Sequence, residues 1–203
     1  MYKPDYLGNN FQRISSYRQQ LILTGSNAEE SVLLVGKGDG YVSDILAQMG
    51  VTVKTLDIQE NLSPDLLGSV NKIPCESNSF DKAVCCQVLE HLPFDQLSDN
   101  INELCRVSRT KVILSIPDVR RFLGFKLKFQ NRELNVQFSF GKIFPKRIDK
   151  LQFETLGHYW EIGYKDSTYK MVKKNLSPKG WKITQETRVH DLPWHTFFVF
   201  EPE

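Results

Sequence analysis

The sequence predicts an α/β protein built on an open, doubly wound, mostly parallel seven-stranded sheet that ends in an antiparallel hairpin. Three observations predict it. Short β-branched runs alternate with stretches of helical spacing through residues 31–117, and such alternation builds a parallel sheet covered by helices on both faces. A glycine-rich turn follows the first of those runs. Two further strand-like runs close the chain with only five residues between them, which is hairpin spacing.

Each element follows from its own pattern. Phe11, Ile14, Tyr17 and Leu21 recur at helical intervals, so residues 7–24 read as an amphipathic helix. SVLLV (31–35) is a continuous apolar run, as in a strand buried on both faces. After Gly36-Lys37-Gly38-Asp39-Gly40, a second helix carries Tyr41, Ile45, Leu46 and Met49 on one face and stops at Gly50. Strands are expected at 51–57, 69–73, 81–87 and 111–117, with a helix over 93–106 that turns Phe94, Leu97, Ile101 and Leu104 inward. A last helix over 166–177 buries Tyr169, Val172 and Leu176, and strands at 181–189 and 195–201 finish the sheet.

The 203 residues, 40% hydrophobic and 25% charged, suit one domain and exclude wholesale disorder or a coiled coil. Its expected parts are an N-terminal helical segment (1–30), a first sheet half (31–117), a basic, Phe-rich segment (118–164) and a closing helix and hairpin (165–203). No run reaches about 18 apolar residues, so no transmembrane helix is expected. The first residues lack the apolar core of a signal peptide, which makes a cytoplasmic address the expectation. Cys75, Cys85, Cys86 and Cys105 have neither zinc nor disulfide-framework spacing and read as reduced thiols, with no metal site implied. Net charge is +2, but residues 118–150 alone hold nine basic and three acidic side chains and six of the 13 phenylalanines.

Glycines after a buried strand let the backbone approach a ligand, and the following helix start offers free N–H groups to it. The dinucleotide pattern G-x-G-x-x-G needs glycine where Tyr41 stands, and no G-x-x-x-x-G-K-[ST] occurs, so NAD and ATP are disfavoured. Asp57 ends the second strand, beside the glycine loop in a doubly wound sheet. A carboxylate there can accept both hydroxyls of a ribose.

VLLVGKGDG, VTVKTLD, IPCESNSFDKAVCCQVLEHLP and KVILSIP, in that order, resemble the motifs of class I S-adenosylmethionine-dependent methyltransferases. The likeness covers about residues 30–117 and is nearest to a small bacterial and archaeal group with an LP…SFD…VLEHL signature. It implies a Rossmann-like methyltransferase sheet with S-adenosylmethionine as cofactor. Gly36, Gly38 and Gly40 would line its methionine and ribose, Asp57 would hold the ribose hydroxyls, and Ile58 would lie against the adenine. Ser69 and Val70 would meet the adenine edge, with Gln87 and Val88 near the sulfonium. Glu90 and His91 match the family's Glu-His pair, which shapes the substrate mouth. The chain departs from the family at Leu34, Lys37 and Ser69, positions where the family often has an acidic residue, Cys and Asp.

Methyl transfer from a sulfonium needs chiefly alignment, which can supply roughly 7–11 kcal/mol, so no fixed triad is expected. The [DNS]-P-P-[YFW] of amino-group methylation and the Pro-Cys of cytosine chemistry are both absent after the fourth strand, where CCQV stands. The substrate side falls to 118–164. GHYWEIGY (157–164) reads either as an aromatic plug or as a substrate wall of Tyr159 and Trp160, in which His158 or Glu161 takes a proton. Arg120 and Arg121 open a segment that reads as a lid favouring an anionic acceptor, as a solvated flap, or as an RNA-binding surface. Its phenylalanines keep no single period. His190 and His195 flank the final turn and read as surface or structural residues. Three functions stay open at this point. One is a methyltransferase acting on a small molecule, with anionic and lipid- or glycan-linked acceptors among the readings. The others are an RNA methyltransferase and a catalytically weak cofactor-binding domain.

Overall fold

Seven strands line up in the order β3-β2-β1-β4-β5-β9-β8, and β1 through β5 run parallel. The computed structural model describes residues 11–129, 132–140, 155, 157–189 and 192–203. Strands β1 (Ser31–Val35), β2 (Thr52–Asp57), β4 (Phe80–Cys86) and β5 (Ser108–Pro117) form the centre, with the two-residue β3 (Leu66–Leu67) at one edge. At the other edge β9 (Leu192–Pro202) pairs antiparallel with β5, and β8 (Trp181–Val189) pairs antiparallel with β9. Strand order reverses beside β1, which has β2 on one side and β4 on the other. Ligands of such sheets bind in the crevice outside the strand ends at that switch point.

Alternation along the strands sends side chains to two cores. Val32, Leu34, Val84 and Ile113 pack under α1 (Phe11–Thr24) and α2 (Tyr41–Gln48), with Leu23, Leu46 and Phe197. Leu33, Val35, Cys85 and Leu114 pack with Ile101 and Leu104 of α3 (Leu97–Val107) and Val172 of α4 (Tyr169–Asn175). Lys82, 5% exposed, fastens α1 to the sheet by donating to the Thr24 carbonyl and pairing with Glu30 at 2.8 Å.

Four expectations change. The third strand lies at Leu66–Leu67 instead of 69–73, because Gly68 N–H bonds the Asp57 carbonyl and Ser69–Lys72 then close a turn on their own backbone. Met49 of the second helix is 55% exposed, so the buried face there is Val42, Ser43 and Leu46. The third helix starts as a 3-10 turn over Phe94–Gln96. The basic segment, expected to be irregular, forms an antiparallel pair, β6 (Arg121–Phe129) and β7 (Arg132–Phe140). Leucines fill the alternate positions between its phenylalanines, so counting phenylalanine alone hides the two-residue period. Residues 7–10 of the expected first helix, and His190, lie outside the described residues.

Candidate active site

The loop after β1 is shaped by three positive φ angles, +81° at Gly36, +56° at Gly38 and +81° at Gly40, a backbone region closed to most side chains. Gly36 is required twice over, because a Cβ there would lie 2.5 Å from Val88 Cγ2. Asp57, 9% exposed, accepts from the Lys37 N–H on one carboxylate oxygen and from the Gln59 N–H on the other, each at 2.9 Å. Each oxygen keeps a free lone pair. Lys37 itself sends its ammonium to the Ser63 carbonyl at 2.6 Å. Ile58 is 71% exposed beside Asp57, whereas Val70 is 2% exposed. Gln87 takes φ +57° at the end of β4, where its N–H bonds the Ser115 carbonyl and its side-chain amide bonds Ser115 Oγ. Strain of that kind collects at functional sites. The loop is also capped from α1: Tyr17 donates to Asp39 at 2.7 Å and stacks on Tyr41.

A second group of side chains assembles at the same end of the sheet. Residues 157–164 are zippered onto the segment after β4: the Tyr159 N–H bonds the Glu90 carbonyl, Trp160 Nε1 donates to the Leu92 carbonyl, and His91 Nδ1 donates to the Gly157 carbonyl. The Ile162 N–H then bonds the Pro117 carbonyl, and the Val119 N–H bonds the Ile162 carbonyl, across the end of β5. The result brings His158 Nδ1 within 2.7 Å of Glu161 Oε1 and stacks His91 edge-on to His158 at 4.9 Å.

Glu90 is fully buried, and neither carboxylate oxygen has a hydrogen-bond partner among the described residues. Burial pushes its pKa up to about 7, against the opposing pull of His158. Burial also resists charge on His158, but the Glu161 hydrogen bond and the charges of Glu90 and Glu161 carry its pKa above the ordinary value. His91 moves down, chiefly through burial. Ligand-capable atoms of Glu90, His91 and His158 lie within 4.8 Å of one another, a set that could hold a metal ion and that no sequence spacing announces. Burial pushes Cys86, at the end of β4, to about 12, so it offers no thiolate there.

The remaining expected residues separate. Tyr159 is 52% exposed, while Trp160 is buried against Phe94. Arg121 is exposed, but Arg120 is not a free cation. Its guanidinium grips Asp118 at 2.7–3.1 Å and lies 4.0 Å over the Tyr169 ring. The expectation of Arg120 as an anion-binding side chain is therefore corrected to a structural one. Asp118, fully enclosed, also takes Thr196 Oγ1 at 2.6 Å and Arg188 at 3.5 Å. His195 was expected at the surface or in a structural place. It pairs with Pro117 at the end of β5, and burial, with Arg13 and His158 adding, drops its pKa to about 4. Its alternation with the buried Phe197 and Val199 was the signal that could have found it.

Residues 33–116 match the family model of a methyltransferase domain. The fold superposes on a protein from Pyrococcus horikoshii OT3 with a TM-score of 0.61, at 16% identity over 99% of this chain and 96% of that one. It also superposes on the 1,6-didemethyltoxoflavin N1-methyltransferase of Burkholderia thailandensis (TM-score 0.60, 12% identity, 98% and 81% covered). The magnesium protoporphyrin IX methyltransferase of Synechocystis PCC 6803 is similar again (0.58, 16%, 95% and 85%). No curated protein sequence matches the chain. The family match spans 84 of the 203 residues, and with the fold likeness it supports the resemblance of this chain to class I S-adenosylmethionine-dependent methyltransferases. No helix among the described residues is long and apolar enough to cross a membrane.

Proposed function

We propose that the chain is a cytoplasmic enzyme that methylates a small-molecule acceptor held between the end of β4 and residues 157–164, with His158 taking the proton. The observation that carries this reading is the His158–Glu161 pair beside buried Glu90, at the same sheet end as the glycine loop. Bound S-adenosylmethionine supplies a methyl group already activated for displacement. Gly36, Gly38 and Gly40 hold positive φ angles and present no side chain, which suits a ligand lying close on the backbone. The free lone pairs of Asp57 receive ribose hydroxyls, exposed Ile58 offers an apolar face to the adenine, and Ser69 and Val70 border its edge. Gln87 and Val88, fixed by the Ser115 bonds and the Gly36 contact, set the floor near the transferred group.

On the acceptor side the Nδ1–H of His158 is engaged by Glu161, which leaves Nε2 to accept a proton. Glu161 and Glu90 stabilise the imidazolium that results, and His91, Tyr159 and Arg121 border the acceptor. Such a base contributes about 10²–10⁴-fold when the acceptor loses a proton. Labelled S-adenosylmethionine incubated with cell extract, read by mass shift, identifies the acceptor. A His158→Ala variant should keep cofactor affinity and lose at least a hundredfold in kcat. Equal turnover would remove His158 from the reaction. Label found only on RNA would replace the small molecule with a nucleic-acid acceptor.

A further inference from the structure

We infer that the β6–β7 hairpin is an interfacial anchor that docks the enzyme on an anionic phospholipid surface. The antiparallel register pairs Leu123 with Phe138, Phe125 with Val136, and Leu127 with Leu134, so these six apolar residues share one face. Phe129 closes the row opposite Arg132. The face is bare: Leu123 is 47% exposed, Phe125 56%, Leu127 66%, Phe129 75%, Leu134 58% and Phe138 55%. Contiguous apolar patches of this kind on a folded protein mark an interaction site.

Its orientation is set from the hairpin base. Phe122, at the opposite parity, lies 5.2 Å from the Arg188 guanidinium, and Arg188 donates to the Asp118 and Arg120 carbonyls. One side of β6 is thereby pinned to the body of the protein, and the row beginning at Leu123 faces away from it.

The charge of the segment selects the occupant. Residues 118–150 carry nine basic and three acidic side chains, and Lys126 and Lys128 alternate with the apolar row in sequence. A face of leucine and phenylalanine carried on so basic a segment complements a bilayer, where hydrocarbon lies under anionic headgroups. A second copy of the chain would bring a +6 segment against its own like, which opposes self-pairing. Aliphatic Leu123, Leu127 and Leu134 between the aromatics suit acyl chains better than stacked nucleobases. The inference stands apart from the acceptor chemistry, since docking needs neither cofactor nor turnover.

The test is co-sedimentation of the full chain with phosphatidylcholine vesicles, with and without phosphatidylglycerol. Binding is expected only with phosphatidylglycerol present, and it should weaken as salt rises. The triple variant Phe125→Ser/Leu127→Ser/Phe129→Ser should lose at least tenfold in vesicle partitioning while binding S-adenosylhomocysteine within twofold of the wild type. Lys126→Glu/Lys128→Glu, which leaves the apolar row intact, should weaken binding and flatten its salt dependence, and it serves if the triple variant fails to fold. No wild-type binding to either vesicle, or equal binding by the variants, overturns the proposal. So does a wild-type dimer in sedimentation equilibrium that the triple variant dissolves, which makes the occupant a second copy.

Discussion

Two aspartates at the ends of neighbouring sheet halves are held in opposite ways. Asp57 is held by backbone N–H groups, of Gln59 two residues on and of Lys37 in the loop after the neighbouring strand β1. Asp118 likewise accepts a backbone N–H two residues on, from Arg120, but it is held chiefly by the side chains of Arg120, Arg188 and Thr196, the last two drawn from the far end of the chain. The cofactor half is thus organised by backbone geometry that a short motif encodes. The acceptor half is organised by ionisable side chains that meet only after the chain has folded.

The comparison predicts where the molecule breaks most easily. Asp118→Ala takes away the carboxylate that the nearly buried Arg120 guanidinium grips, a loss that typically costs about 3–5 kcal/mol. Thermal unfolding should fall by roughly 10 °C. A loss no larger than that of a surface substitution would mean the two arginines find other partners.

The next effect has the opposite sign. Glu90 has its pKa raised to about 7 in the fold, from an unfolded value of 4.5. Unfolding therefore releases a proton between those values, and stability is greatest below the lower one and declines as pH rises to the upper one. Glu90→Gln removes that dependence. Urea unfolding should show the variant more stable by about 2–3 kcal/mol at pH 8 and no more stable at pH 4.5. Loss of the Glu90 charge should also lower the His158 pKa, shifting the acid limb of turnover to lower pH. A variant less stable at pH 8 would mean that Glu90 is ionised and satisfied there.

In the cofactor half, Gly36→Ala meets both a positive φ and the Val88 methyl, at a cost of about 1–3 kcal/mol. Adding Val88→Ala should return part of the lost stability by relieving the contact, leaving the backbone term. No recovery would put the whole cost on φ.

The smallest effect comes from adjacent arginines. Arg120→Ser should cost about 1–3 kcal/mol through its charge-assisted bonds to Asp118, while exposed Arg121→Ser should stay within about 0.5 kcal/mol. Equal losses would erase the distinction drawn between them.

The same contrast explains what was legible in the sequence. The central strands, the glycine loop and Asp57 show themselves through local apolar runs and φ-demanding glycines. The Asp118–Arg120–Arg188–Thr196 knot does not, since nothing local in Arg188 or Thr196 points to residue 118. The acceptor cluster falls between these cases. His158 and Glu161 stand three apart and can be noticed, but that they meet Glu90 follows from the backbone pairing of 157–162 with 90–92 and 117–119. The edge strand Leu66–Leu67 is set by two residues of register and leaves almost no pattern. In the hairpin the two-residue period was present, obscured because Phe122 and Phe125 are out of phase.

The central claim is that Asp57 and the glycine loop form the S-adenosylmethionine site, and titration calorimetry with S-adenosylhomocysteine tests it most directly. The wild type should bind one equivalent. Asp57→Ala should bind at least tenfold more weakly while keeping its circular dichroism spectrum at the assay temperature, because the ribose loses charge-assisted bonds worth roughly 1.5–3 kcal/mol each. Absence of heat with the wild type, or equal affinity in the variant, would contradict the account.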